Sequence, residues 1–370
     1  MNDQILFIGL DVDDQAFHGG AISEDGKSES DFKCKPTSGA LVKRLKKYEE
    51  QGFKLKICYE ATFLGFSLYR ELKGNGFDCD VIAPSLVPRK PGEQVKTDRI
   101  DGKKLSRYYR SGDLTIVHVP TQGEETVRDI VRSRRFLKSQ AKASKLHILS
   151  LCRRLGLRYR EAGTTASYWT GMHFAWLEKQ AKEAGTKAFQ FNLTGLIDTL
   201  KLIEGQREKY DVEIERVATE PFYHTKVQSL CCYRGIDTLT AMVFIVEFGD
   251  MNRFSHPKQT ASYAGMDLRE DTSGGKEKKY HITKMGNRHI RTAAIEAVQQ
   301  AFEPPRVSKR LKAQREKVDT KYIDIADRCM NRLHKKSTRL LYGGKAKNKI
   351  KVAAARELLC FVWESLRAAA

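Results

Sequence analysis

The chain holds no apolar run close to the roughly 20 residues that a membrane-spanning helix needs, so no membrane partner is expected. Its first residues, Met1-Asn2-Asp3-Gln4, lack the basic and apolar regions of a secretory signal. Its eight cysteines contain no C-x-x-C pair, which argues against both a zinc module and a disulfide framework. A reduced, cytoplasmic protein is the expectation. Internal repeats and low-complexity segments are also missing. The last deficit is of negative charge. Sixty-six Lys and Arg face 46 Asp and Glu, a net charge of +20, and a surplus of that size points to a polyanionic partner.

What is present is ordinary globular material in two or three domains' worth of chain, with 41% apolar and 9% aromatic residues over 370 positions. In the first 120 residues, strands and helices alternate. Ile5 to Leu10 is a short apolar run ending at Asp11, as a buried strand would. Ala16–Ile22 and a stretch near Ser30–Cys34 read as further strands around an Asp25-Gly26 turn. Thr37-Ser38 can cap a helix through Tyr48. Lys56–Tyr59 is a strand ending at Glu60, Leu64–Lys73 a helix, and Phe77–Ala83 a strand. Three meandering strands followed by strand–helix units predict a mixed α/β sheet flanked by helices.

From 121 to 217 the pattern becomes helical. Val127, Ile130, Arg134, Leu137, Ala141, Ser144, Ile148, Leu151 and Leu155 keep heptad spacing, and so do Leu193, Leu196, Leu200, Ile203, Arg207, Tyr210, Ile214 and Val217. Two such helices predict an antiparallel arm or an intersubunit coiled coil. Tyr168-Trp169 and Phe174-Ala175-Trp176 are expected to pack the arm's far end. The first helix is strongly basic, with eleven Lys and Arg and one acid, Asp129, between Thr126 and Arg160. A phosphate backbone is its natural counter-charge; a solvated face is the plain alternative. The third region, 218–370, is expected to be mainly helical. Leu239–Phe248 and Phe254–Ala264 read as helices and Thr272-Ser273-Gly274-Gly275-Lys276 as a flexible turn. Residues 304–351 add sixteen basic residues against four acids, a second candidate for nucleic-acid contact.

The chemistry resides in four acids. Asp11 and Glu60 each stand at the end of an apolar strand, and adjacent strand ends can bring two carboxylates together. Like charges that close repel, and a divalent cation is the usual compensation. Asp98 and Asp101, in Lys96-Thr97-Asp98-Arg99-Ile100-Asp101, share one helix face by their spacing, with Thr97 as N-cap. Four oxygen donors suit Mg²⁺ or Mn²⁺. Each acid alone reads as a turn or helix-start residue; the set of four in this order is the signal.

Ile8-Gly9-Leu10-Asp11, Glu60-Ala61-Thr62 and Lys96 to Asp101 resemble the DEDD transposases of the insertion-sequence 110 family, which includes Piv-type DNA invertases. Tyr263-Ala264-Gly265-Met266, then Ser273-Gly274, then Thr283 to Asn287, resemble that family's C-terminal transposase domain. The resemblance implies a RuvC-like (RNase H) first domain with the four acids as metal ligands. It also implies a serine nucleophile, for which Ser273 stands at the matching position; Ser255, Ser262 and Thr272 are the neighbouring alternatives. From the residues alone, Thr-Ser-Gly-Gly is a turn. Double-stranded DNA as substrate, a structured guide RNA from the same element, and homodimers pairing into homotetramers with sites shared between subunits are further implications. The chain departs from the family pattern at Phe63-Leu64-Gly65 and at Tyr233-Arg234-Gly235-Ile236, where a small turn and a P-G-I-G element are usual. Two other functions fit the same residues: a Holliday-junction resolvase-like nuclease using water, and a nucleic-acid-binding protein with inert carboxylates.

Overall fold

The computed structural model describes residues 4–61, 65–88, 98–160, 165–183, 185–273 and 276–370, and of residues 98–100 and 270–280 the backbone alone. The chain divides into two compact units, Met1–Pro120 and Thr121–Ala370.

Unit 1 is a five-stranded sheet, β1 (Gln4–Val12), β2 (Phe17–Ser23), β3 (Glu29–Cys34), β4 (Phe53–Glu60) and β5 (Asp78–Ile82), in the order β3-β2-β1-β4-β5. The first three strands form an antiparallel meander, and β4 and β5 add in parallel. The alternation along β1 decides its two faces. Leu6, Ile8, Leu10 and Val12 enter a core with Leu41 and Leu45 of α1 (Ser38–Glu49) and Leu68 and Leu72 of α2 (Ser67–Gly74). Thr37 caps α1 as its position suggests, its hydroxyl accepting from the Ala40 N–H.

The other face of β1 is occupied by α3 (Asp98–Ser111), and glycines make room for it. A methyl group on Gly9 would lie 2.3 Å from the Ser106 backbone nitrogen, and one on Gly20 of β2 would lie 2.4 Å from that of Lys103. Gly102 on the helix completes the seat against Gly20, His18 and Gly9 backbone atoms. With no Cβ on either side, helix and sheet meet at backbone distance. Lys103 pairs with Asp31 at 3.0 Å, Arg107 binds Glu29 through two hydrogen bonds, and the Tyr109 hydroxyl donates to Asp80 of β5 at 2.6 Å.

In unit 2, α4 (Gln122–Arg154) starts on a capping box of Thr121 and Glu124. It runs antiparallel to α6 (Lys187–Ala218), with Ala141, Ile148 and Leu151 packed among Leu193, Ile197 and Leu200. The heptad spacing thus closes an arm within the chain. The polar seam positions are met by ion pairs: Arg134 with Asp211, Lys145 with Glu204 at 2.5 Å, and Arg207 with Glu204 at 2.9 Å. Part of α4's basic charge is therefore neutralised within the arm, by Asp211 and Glu204. Between them α5 (Gly171–Glu183) places Phe174 and Trp176 on the arm's cluster, joined by Trp169 just before the helix. His173 is fully buried there, its Nδ1 accepting from the Trp169 N–H, and burial depresses its pKa.

The remaining core surrounds α8 (Thr238–Phe248), apolar apart from its first-turn threonines and Glu247, and α13 (Lys347–Ala368). Around them stand α7 (Pro221–Cys231), α9 (Lys258–Tyr263), α10 (Arg288–Ala297), α11 (Lys309–Arg315) and α12 (Thr320–Tyr342). Two expectations change here. The helix read over Phe254–Ala264 is confined to α9, because Pro257 occupies its N-cap and Phe254 is extended. Thr272, Ser273 and Lys276, read as a turn, belong to a hairpin of β6 (Leu268–Ser273) and β7 (Lys276–Ile282). Gly274 and Gly275 lie outside the described residues. Among the described residues no helix is long and apolar enough to cross a membrane.

Candidate active site

The parallel register of β1 and β4 pairs Leu10 with Tyr59. Asp11 and Glu60 are the next residues on each strand, so their backbones are neighbours about 4.8 Å apart at the C-terminal ends. Alternation also fixes the face. Gly9 and Cys58, two residues back from the acids, are paired in register; Gly9 meets α3, and Cys58 packs with Leu105 of α3. Asp11 and Glu60 therefore lie on the α3 side of the sheet.

The helix brings the second pair to the same end. Tyr109 meets Phe7 edge-on, ring centroids 5.8 Å apart, while Leu105, Ser106 and Gly102 meet Gly9. Thus α3 runs antiparallel to β1, and its first turn lies toward Asp11. Gly102 abuts the carbonyl of His18, the cross-strand partner of Asp11, and Asp101 directly precedes it. Asp98 is the first residue of α3. The side chain of Asp98 and the N-cap expected of Thr97 lie outside the described residues. Among the described residues, no three His, Cys, Asp or Glu side chains already stand together as a metal-binding group. The structure brings the backbones of Asp11, Glu60 and Asp101 to one strand end without closing their side chains into a cluster.

The donor chemistry of this end fits a hard divalent cation. It offers carboxylate oxygens, and the nearby thiol is no competitor. Burial pushes the Cys58 thiol well up, with Cys79, Asp80 and Glu60 adding negative charge, so Cys58 stays protonated.

In unit 2, Ser273 is the last residue of β6 and pairs in register with Lys276, leaving a two-residue Gly274-Gly275 connection. Its side chain lies outside the described residues, as does that of Thr272. The alternatives Ser255 and Ser262 are exposed, donating to Gln259 and to the Asp267 carboxylate respectively. The hairpin's root is tightly built. Lys284 N–H donates to the Gly265 carbonyl at 2.9 Å, Asn287 N–H to Tyr263 at 2.7 Å, and Arg291 to Ala264 at 2.6 Å. Gly265 and Gly286 meet so closely that a methyl on Gly286 would lie 2.5 Å from the Gly265 nitrogen.

Comparison with known proteins bears on both units. A model of the DEDD transposases, described as "Transposase", matches residues 8–155, and the model described as "Transposase IS116/IS110/IS902 family" matches 227–312. A protein named as a transposase, y4qE of Sinorhizobium fredii, is 30% identical over 370 residues, covering 98% of this chain and 89% of that one. The chain belongs to the IS110 family of transposases. The transposase for insertion sequence element IS1533 of Leptospira borgpetersenii is 27% identical, with 90% of this chain and 95% of that one covered. As a member of this family the protein is an enzyme that cuts and rejoins DNA.

The transposase contains one polar centre that the sequence reading missed. Glu247, in the last turn of α8, is 3% exposed. Its two oxygens accept from Arg132 of α4 at 2.7 and 2.8 Å, and one also accepts from Asn287 at 2.6 Å. Burial alone would raise its pKa, but hydrogen bonds and charge from Arg132, with Asn287, hold it below the ordinary glutamate value. Asn287 in turn caps α10, its Oδ1 accepting from His289 and Ile290. One carboxylate thus joins α4, α8 and the root of the hairpin. The available signal was a single acid in an otherwise apolar helix, Met242-Val243-Phe244-Ile245-Val246-Glu247-Phe248.

Proposed function

We propose that the transposase uses a divalent cation, Mg²⁺ or Mn²⁺, held by Asp11, Glu60, Asp98 and Asp101 on an RNase H-like (RuvC-like) unit, and Ser273 as its nucleophile. The observation that carries the reading is the meeting of the β1 and β4 ends with the first turn of α3 on one face of the sheet. An antiparallel meander followed by two parallel strands is the topology that fold requires, and helical spacing adds Asp98 beside Asp101.

The cation would polarise the scissile phosphodiester and stabilise the departing oxygen. The chain's own residues do the rest. Asp11 and Glu60 sit on paired strands of a buried sheet, so their separation is fixed before substrate arrives. Ser273 attacks phosphorus through Oγ: a serine–phosphate ester forms, one phosphorus–oxygen bond of the strand breaks, and the serine proton is carried away as the strand's oxygen becomes a hydroxyl. One ester replaces another, so a second strand's hydroxyl can reverse the step and rejoin DNA without an external energy source. Hydrolysis by water would discard that bond.

The three-part organisation, with an arm over 121–217 and a C-terminal transposase domain over 218–370, belongs to this proposal. So do an element-encoded guide RNA and a homodimer or homotetramer, which rest on the family resemblance; the +20 charge is compatible with the RNA. The test of the nucleophile is a denaturing gel with nicked substrate and Mg²⁺. Wild-type protein should stay attached to DNA, and Ser273→Ala should remove the adduct. Cleavage retained without an adduct would favour the resolvase reading.

A further inference from the structure

Beside the Glu247 centre, a second arginine of α4 has no carboxylate within ion-pair distance among the described residues. Arg135 lies one residue turn beyond Arg132 and is half-buried. Among the described residues its hydrogen bond goes from Nη1 to the His289 backbone carbonyl at 3.4 Å, too long to satisfy a desolvated guanidinium. Burial holds its pKa below the ordinary arginine value, Glu296 opposes that shift, and the like charge of Arg288 reinforces it. Arg288 opens α10, is exposed, and has no carboxylate within ion-pair distance among the described residues.

Among the described residues, the acids in reach are committed elsewhere. Both oxygens of Glu247 are bound by Arg132 and one also by Asn287. Glu296 faces Lys138 at 3.8 Å and is itself largely exposed. His289 adds no formal charge at neutral pH, because burial lowers its pKa; Glu247 opposes the shift, and Arg135, Arg132 and Arg288 add to it. Three guanidiniums therefore surround the first turn of α10 with one buried carboxylate among them. Like charges gathered at a half-buried point cost free energy unless an anion is added. Planar guanidinium forks match the paired oxygens of a carboxylate or a phosphodiester, and in a DNA-acting chain of net charge +20 the phosphodiester is the anion to expect.

We propose that Arg135 and Arg288 form a clamp for one backbone phosphate of duplex DNA at the root of the β6–β7 hairpin. Arg132, Glu247 and Asn287 are the mount that fixes the clamp relative to the hairpin. The proposal rests on the family's action on DNA and not on Ser273 being the nucleophile. Loss of the serine adduct and loss of this clamp are separate results. The clamp would set where the strand lies relative to β6.

The test uses full-length protein and a short duplex DNA, with affinity measured across a series of salt concentrations. Neutralising one phosphate contact flattens the plot of log affinity against log salt by about 0.9. Arg135→Gln and Arg288→Gln should each flatten it by about that amount. The double variant should lose little more, since both side chains grip one phosphate. Arg135→Lys should keep the slope, and a merely structural role would not move it at all. If Arg135→Gln unfolds the unit, the exposed Arg288→Gln still decides. An unchanged slope in Arg288→Gln overturns the clamp. So does a slope change seen with single-stranded RNA and not with duplex DNA.

Discussion

Asp11→Asn should leave a folded transposase that binds DNA and does not cut it. Asp11 ends the central strand β1, next to Glu60 in the parallel register and toward the first turn of α3. Replacing its carboxylate with an amide keeps the shape and removes one negative donor from the proposed cation site. A bound cation contributes several kcal/mol of transition-state stabilisation, and each 1.36 kcal/mol is a factor of ten in rate. A loss of about 10³-fold or more in single-turnover cleavage is therefore expected. The thermal midpoint should be unchanged or slightly higher, because the substitution removes one of the negative charges carried by neighbouring backbones at that strand end. Wild-type cleavage rates in Asp11→Asn would remove this acid from the mechanism.

Glu247→Ala should destabilise unit 2 by about as much as truncating a buried aliphatic side chain. The carboxylate is buried and accepts three hydrogen bonds, so its removal strands the Arg132 guanidinium and the Asn287 amide. Arg132 keeps 41% of its side chain exposed and can hydrate, so the loss falls below that of a fully buried pair, at about 2–3 kcal/mol. A denaturant titration monitored on the full chain reads this directly as a lower midpoint of the unit 2 transition. The paired variant Arg132→Met with Glu247→Leu should recover most of the loss, because no charge is then left buried. The pH dependence has a definite sign. The folded pKa of Glu247 lies below its unfolded value of about 4.5, so its contribution is complete above that pH and is lost as pH falls through the folded pKa. Equal stability of Glu247→Ala and wild type would mean that the centre does not hold the hairpin root.

The strand-end acids were visible in the sequence for a physical reason. A buried parallel strand is a continuous apolar run, and the polar residue ending it stands out, as Asp11 does after Ile5–Leu10 and Glu60 after Ile57-Cys58-Tyr59. The helix carrying Asp98 and Asp101 was legible from the i, i+3 spacing. Its docking was not. That depends on Gly9, Gly20 and Gly102, which look like unrelated small residues until three backbones meet. The hairpin was hidden for a different reason. Leu268-Arg269-Glu270-Asp271-Thr272-Ser273 has almost no strand propensity, and its pairing with Lys276–Ile282 supplies what its composition does not. Charge density along the basic helix does not tell which arginines already have acids: Arg132 and Arg134 do, and Arg135 has none within ion-pair distance among the described residues.

The claim on which the rest depends is that one end of the unit 1 sheet is a single divalent-cation site. Crystals of full-length transposase with duplex DNA and Mn²⁺, measured at a wavelength where manganese scatters anomalously, test it directly. The account predicts an anomalous peak bounded by Asp11, Glu60, Asp98 and Asp101 in wild-type crystals and none there in Asp11→Asn. A DNA-bound structure with manganese elsewhere and that strand end empty would contradict it.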